Sequence, residues 1–402
     1  MPTFYNFREN GLDYSFDDIF VPADLFRDGN LFTWGSGNYG RLGNEVTTGS
    51  ISTPVTTFAG GTNWKQVSDG HPLAAIKTDG TLWTWGSGSN GRLGNGVITG
   101  DISTPVTTFA GGTNWKQVSS MSLDSTVAIK TDGTLWTWGR NDRSQLGNAG
   151  ITDTSTPVTT FAGGTNWKQV NTGGTHIAAI KTDGTLWTWG FGNNGQLGDN
   201  TTGTKSTPVT TFAGGTNWKQ VSGGYSHTAA IKTDGTLWTW GNGGDGRLGD
   251  NTATTKSIPV TTFAGGTNWK QVSSGDAHTA AIKTDGTLWT WGNGGDGQLG
   301  DNTDTNRSTP VTTFAGGTNW KQVSAGESFT AAIKTDGTLW TWGAVVPWFF
   351  KQGNSGVLGN ASISGGAATP VTTFAGGTNW KQVTSAIKNN NIAAITYIDS
   401  VL

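Results

Sequence analysis

Few side chains in this sequence are of a type that does chemistry, and they come in series. His176, His227 and His278 occupy one repeated position, four residues before a strand isoleucine, where two other copies carry Ser125 and Phe329. A metal or catalytic role would need a partner that recurs with them, and none does. The expected role is a half-buried imidazole hydrogen-bonded to backbone. His71 lies in a loop one residue shorter and has no matched role. Asp79 and its counterparts recur inside Thr-Asp-Gly, which makes them turn residues and not an acid–base pair. Gly-Gly-Asp-Gly at 243–246 and 294–297 has the glycine–aspartate pattern of calcium nonapeptides. Arg247-Leu248 and Gln298-Leu299 stand where a further Asp is needed. The run Asp301 to Asp304 has no Glu to close a calcium loop. The glycine-rich turns lead into no helix, so no helix dipole is offered to a phosphate. No titratable cluster breaks the repeat. The chain therefore reads as a non-enzyme, with no catalytic residue, no metal and no cofactor.

What must position these residues is a repeat. Pro-Val-Thr-Thr-Phe-Ala-Gly-Gly-Thr-Asn-Trp-Lys-Gln-Val occurs seven times unchanged, starting at Pro54, Pro105, Pro157, Pro208, Pro259, Pro310 and Pro370. Ile-Lys-Thr-Asp-Gly-Thr-Leu-Trp-Thr-Trp-Gly occurs six times, and a degraded copy ends at Trp34-Gly35. Alanine-rich and Trp-rich strands joined at Asp-Gly form a hairpin, because Gly accepts positive φ without cost. PVTTF and WKQVS are further strands, rich in β-branched and aromatic residues, around an AGGTN turn. Helical periodicity is absent. Four strands in roughly 50 residues, seven times, give an all-β, seven-bladed β-propeller. The last unit lacks its LWTWG strand and the first begins with one, Asp28 to Gly35. Exchange of that N-terminal strand into the last blade closes the ring and covers both edges. The expected domains are a short extended arm, 1–27, and the propeller, 28–402.

Composition agrees. The 402 residues include 64 Gly and 21 Trp, with 33% hydrophobic and 13% charged residues. Trp64, Trp83 and Trp85 with their equivalents account for 20 of the Trp and should pack between blades. The net charge of −2 argues against a strongly basic surface and against nucleic acid as a partner. Cys is absent, so there is no disulfide framework. No N-terminal signal pattern or long apolar run is present, so neither secretion nor membrane insertion is expected.

The pattern DGxLWxWG, then GxLG, then Pro, then Gly-x-x-His-Thr resembles the regulator-of-chromosome-condensation repeat. The resemblance covers 28–402 and implies a seven-bladed propeller closed by a terminal strand. Its members include a nucleotide exchange factor, a plant ultraviolet photoreceptor and an enzyme inhibitor, so it implies no single activity. The photoreceptor motif Gly-Trp-Arg-His-Thr would fall on Gly224-Tyr225-Ser226-His227-Thr228, where its Trp and Arg are replaced.

Function should lie where the repeat breaks. The loops after Trp-Thr-Trp-Gly vary and should share a face. Arg41, Arg92 and Arg247 share one position there and read as solvated side chains. An insertion at 344–352 carries Val345, Val346, Pro347, Trp348, Phe349 and Phe350, an apolar contact or a plug of the ring. The arm holds Arg8 and Arg27 against Glu9, Asp13, Asp17, Asp18 and Asp24, a net charge of −3. Phe4, Tyr5, Phe7, Tyr14, Phe16, Ile19, Phe20 and Val21 make it too apolar for a solvated tail. The arm also resembles the opening of virion structural proteins of tailed phages of marine cyanobacteria. These features give two expectations. One is a structural or adhesive part of a phage tail, neck or baseplate, assembled in host cytoplasm, docked by the arm and touching a host surface protein or glycan through its loops. The other is a soluble protein-binding regulator or inhibitor using one propeller face, or a multivalent lectin.

Overall fold

A computed structural model describes residues 8–9, 12–13, 28–121, 125–343, 358, 367–373, 376–387 and 391–397. Blade 1 is a four-stranded antiparallel meander: Trp64–Ser68, Leu73–Lys77, Leu82–Gly86 and Ile102–Thr107. Blades 2 to 6 repeat it, ending with Ala367–Thr372. Blade 7 is built from both ends of the chain. Trp380–Ser385 pairs with Asn391–Tyr397, which pairs with Asp28–Ser36, which pairs with Ser50–Thr56. Closure therefore takes two N-terminal strands where the sequence suggested one. The outer strand follows the third through the loop 37–49, so it travels with it.

The strand order explains the constant residues. Gln66, Val67, Ser68 and their equivalents from all seven blades line a central channel of about 170 Å³, so the WKQVS strand is innermost. Every sheet face is covered by the next blade, and seven hydrophobic clusters fill the seven junctions. Between blades 1 and 2, Ala74, Ile76 and Leu82 meet Trp115, Val118, Ala128 and Trp138. Two of the three repeated Trp, as Trp64 and Trp85, are fully buried. The third, Trp83, is half-buried and donates its indole N–H to the Thr81 hydroxyl at 2.9 Å. Trp64 meets both rings at 6.3 Å between centroids, in tilted to edge-on geometry favoured by the ring quadrupole.

Two hydrogen-bonded belts run round the channel, and neither is visible in a hydrophobicity pattern. In the first, each Gln side chain pairs with the next blade's Val backbone. Gln66 Nε2 donates to Val118 O at 3.0 Å, and Val118 N donates back to Gln66 Oε1 at 3.0 Å. The belt closes between last and first blades, where Gln382 Nε2 donates to Val67 O at 3.1 Å and Val67 N returns the bond. In the second, a small polar side chain accepts from the next blade's backbone. Ser120 N donates to Ser68 Oγ at 2.9 Å, and Asp69 N donates to Thr384 Oγ1 across the closing junction. Buried backbone groups facing the channel are thereby satisfied.

Each inner strand also carries a β-bulge. In blade 1 the register passes from Trp64 to Gln66, so Lys65 opposes nothing on the partner strand. The same shift recurs in every blade. A bulge re-aims the extra side chain and increases local twist.

Candidate functional site

Three expectations about polar residues are corrected by the fold. His176, His227 and His278 are not half-buried on backbone; each is fully buried and points at the next blade. His176 Nε2 donates to Thr228 Oγ1 at 2.7 Å, because the Thr228 hydroxyl itself donates to Gln196 O at 2.8 Å. His227 and His278 bond Thr279 and Thr330 in the same way, at 2.9 Å each. His stands where the next blade offers Thr; Ser125 and Phe329 stand where it offers Ile177 and Ile392. The three imidazoles are held neutral, with burial drawing His176 and His278 down to about 3 and His227 well below its usual value. They are interblade pins, not ligands.

The arginines are not solvated either. Arg41 and Arg92 are only 5% and 3% exposed, because the Gly-x-Leu-Gly segment folds down into the junction with the next blade. There Arg41 O accepts the Trp85 indole N–H at 2.9 Å, and Arg92 O accepts that of Trp138 at 3.0 Å. The glycine that follows is obligatory. Gly94 has φ +66°, and a Cβ there would sit 2.5 Å from Trp138 Nε1. The Leu-Gly pair, constant in all seven copies, was the signal for this contact.

The third correction matters for function. The sequence showed no titratable cluster that breaks the repeat, yet the fold assembles one where blades 7, 1 and 2 meet. Asp69 takes a channel-mouth position held elsewhere by Ser120, Thr172, Gly223, Ser274, Ala325 and Ser385. Its Oδ1 accepts from Asn391 Nδ2 at 2.7 Å. Burial pushes its carboxyl well above the usual range, opposed by Arg41 and by the Asn391 bond. Burial likewise lowers Arg41, against the attraction of Asp69. Arg92 Nη1 donates to His71 Nδ1, and the His71 ring meets the Tyr39 ring edge-on at 5.7 Å. The Arg41 guanidinium lies 5.7 Å from the same Tyr39 ring. Tyr39 itself is 51% exposed, with φ +64°. Distant sequence positions hid this cluster; only ring closure brings Tyr39, Asp69 and Asn391 together.

The same sector is apolar. Apart from one repeated Phe per blade, the exposed large hydrophobics among the described residues are Tyr39, Val46, Val97, Ile98 and Ile151. All lie in the third-to-outer loops of blades 7, 1 and 2; the corresponding loops of blades 3 to 5 expose no large hydrophobic to that degree, Phe191 being half-buried and Leu197, Leu248 and Leu299 buried. Among the described residues no group of three or more His, Asp or Glu could hold a metal ion. No described helix is long and apolar enough to cross a membrane. The predicted contact residues Phe4, Tyr5, Phe7, Tyr14, Phe16, Ile19 and Phe20, and Val345, Val346, Pro347, Trp348, Phe349 and Phe350, lie outside the described residues.

Asp69 gives a pH signature. A carboxyl raised in the fold stabilises the protein fully only below its unfolded value, and that stability is lost as pH rises through the folded value. Asp69→Asn keeps the acceptor for Asn391 and removes the charge. Its melting temperature should exceed that of the parent at pH 8, by a margin that narrows towards pH 6, measured by thermal unfolding.

Comparison with known proteins places this ring. Residues 23–312 match the RCC1-like domain, and residues 320–344 match the regulator of chromosome condensation (RCC1) repeat. The chain belongs to the RCC1-like domain family. It is 30% identical over 335 residues to the ultraviolet-B receptor UVR8 of Arabidopsis thaliana, covering 81% of this chain and 74% of that protein. It is 29% identical to the mitochondrial RCC1 domain-containing protein RUG3 of the same plant, covering 78% and 77%. Prp20p of Saccharomyces cerevisiae, described with its binding to Gsp1p and histones, superposes with a TM-score of 0.77 at 18% identity, over 92% of each chain. That likeness shows the RCC1-like fold. The family match begins at residue 23, and the expected likeness of residues 1–27 to virion proteins is not shown by these relatives.

Proposed function

We propose that this RCC1-like propeller is a non-catalytic, protein-binding regulator that engages its partner through the sector of blades 7, 1 and 2. The observation that carries the reading is the coincidence of two departures from the repeat in one place. The exposed apolar side chains Tyr39, Val46, Val97, Ile98 and Ile151 lie in the same sector as the Asp69, His71, Arg41 and Arg92 cluster. Exposed apolar groups beside polar anchors are the usual make-up of a protein contact. The belts and Trp clusters make the scaffold rigid, so little ordering is lost on binding.

The relatives support the regulator reading over the virion one. Prp20p is described with protein partners, and UVR8 is a receptor. Virion and glycan partners rest on the sequence expectations alone. The test is binding of the isolated partner by the full chain carrying Tyr39→Ala and Ile98→Asp together. Loss of one central aromatic anchor costs about 2 kcal/mol or more, so affinity should fall at least about thirtyfold. Thr201→Asp, in the blade 3 loop, should change little. Equal loss from both would overturn the assignment of the sector.

A further inference from the structure

The two ends of the ring carry opposite charge, which the overall net of −2 conceals. Chain direction places the Thr-Asp-Gly hairpins and the Phe-Ala-Gly-Gly-Thr-Asn links at one end, where Trp115 N donates to Gly80 O at 3.0 Å. At that end stand the seven bulge lysines, Lys65 and its equivalents, and the six lysines that end the second strands, Lys77 and its equivalents. Against these thirteen stand the seven hairpin aspartates, Asp28 included, which leaves these groups with a net charge of +6. The described charges of the opposite end are eight basic and thirteen acidic, a net of −5. The hairpin carboxylates are held by their own turns: Asp79 Oδ1 accepts from Thr81 N at 2.9 Å and from Thr81 Oγ1 at 2.7 Å. Lys77 Nζ lies over indole faces, 4.6 Å from the Trp83 ring and 4.8 Å from that of Trp64. Lys65, Lys116, Lys168, Lys219 and Lys270 are exposed and form no ion pair among the described residues.

An aromatic ring surrounds the basic one. Thr107 pairs with Trp83 and Thr108 N donates to Leu82 O, so Phe109 comes level with Thr81, beside the hairpin. Phe109 is 71% exposed, and Phe58, Phe161, Phe212, Phe263 and Phe314 are 63–70% exposed. These Phe follow the outermost strands while the bulge lysines sit on the innermost, so lysines lie inside and Phe outside. A partner that satisfies this end must meet both rings in every blade. A linear polyanion or an ordinary protein surface would touch two or three neighbouring blades and leave the rest in water. A lipid bilayer is planar and laterally fluid, so anionic headgroups can gather under all the lysines at once while the rim Phe enter the interface. Basic and apolar contacts together are also what stable peripheral anchoring takes. We propose that this end of the ring docks on an anionic lipid surface, with the bulge lysines on the headgroups and the Phe rim at the acyl boundary. Docked in this way, the sector of blades 7, 1 and 2 faces away from the membrane. The proposal does not rest on the assignment of that sector.

The test is co-sedimentation of the full chain with vesicles of phosphatidylcholine, with and without phosphatidylserine. Binding is expected to the mixed vesicles and not to phosphatidylcholine alone. It should weaken sharply at 1 M salt, where the screening length is about 3 Å. Each lysine near an anionic leaflet is worth about fivefold in partition, so Lys116→Glu, Lys168→Glu and Lys219→Glu together should weaken binding at least about a hundredfold. Phe109→Ser, Phe161→Ser and Phe212→Ser together should weaken it at least about tenfold. These side chains are exposed, so near-ultraviolet dichroism of both variants should match that of the parent. Lys205→Glu with Lys256→Glu, at the opposite end, should bind as the parent does. Failure to bind the mixed vesicles, or undiminished binding by the lysine variant, would overturn the proposal. A DNA duplex held as tightly as the vesicles, and indifferent to the Phe changes, would make the partner a nucleic acid and overturn it. So would self-association of the chain that the lysine changes abolish while vesicles stay unbound, which would place a second copy on that end.

Discussion

Acidification is expected to unfold this ring between pH 6.5 and pH 4, well before most carboxylates titrate. His176, His227 and His278 are buried and neutral, with His176 and His278 drawn down to about 3. Their folded values lie below the unfolded value of about 6.5, so the stability they carry is complete above that pH. It is lost as pH falls from 6.5 towards the folded value, because the unfolded chain takes the protons first. At pH 5 the loss is about 2 kcal/mol for each histidine. Three together approach the whole stability of an ordinary domain, about 5–15 kcal/mol. Unfolding near pH 5 should take up close to three protons on these histidines, offset by up to one released from Asp69. The double variant His227→Phe with Thr279→Ile copies the pairing of Phe329 with Ile392 already present between blades 6 and 7. It should fold and lose about a third of the pH slope. An unchanged slope would mean that these histidines are solvated or charged in the fold.

The second large effect concerns closure. A chain starting at residue 28 should fold into the full ring, and one starting at residue 58 should not fold cooperatively. The second removal takes away the third and outer strands of blade 7, with Leu31, Trp34 and Leu42 all buried. Burial of a leucine contributes about 1.5–3 kcal/mol, and a Trp burying about 200 Å² contributes about 5. The loss is about 10 kcal/mol before counting the two edges left open at the seam, where unpaired strands invite aggregation. Near-ultraviolet dichroism and tryptophan fluorescence should show no cooperative melt. A sharp transition near that of the full chain would show that six blades and a half suffice.

The sequence made the repeat legible and the chemistry of its seams illegible, for physical reasons. Strand positions, hairpins and Trp packing follow from local pattern: alternating residues, Asp-Gly turns and bulky rings in fixed register. The Gln66 belt did not, since a constant Gln in a strand reads as solvent-facing until the axis is known. The histidine pins were read as local because their partner, as with His176 and Thr228, lies 52 positions away in the next blade. Arg41 looked solvated because an Arg in a glycine-rich loop usually is. Here the loop tucks into a junction and its backbone carbonyl is what the neighbouring Trp85 needs. The Asp69 cluster exists only because residues 39, 69 and 391 meet at the seam, which no local pattern encodes. The exposed Val97, Ile98 and Ile151 were in plain view among the variable loops, and their asymmetry between blades was the signal to follow.

The proposed function stands or falls on where a partner touches the ring. A photo-reactive phenylalanine analogue placed at position 98, in the blade 1 loop, should cross-link a single protein species in extracts of the source cells. The same probe at position 201, in the blade 3 loop, should give none. The cross-linked species should be competed away by the unlabelled full chain and spared by the Tyr39→Ala, Ile98→Asp variant. Equal cross-linking from both positions, or from 201 alone, would contradict a contact confined to blades 7, 1 and 2.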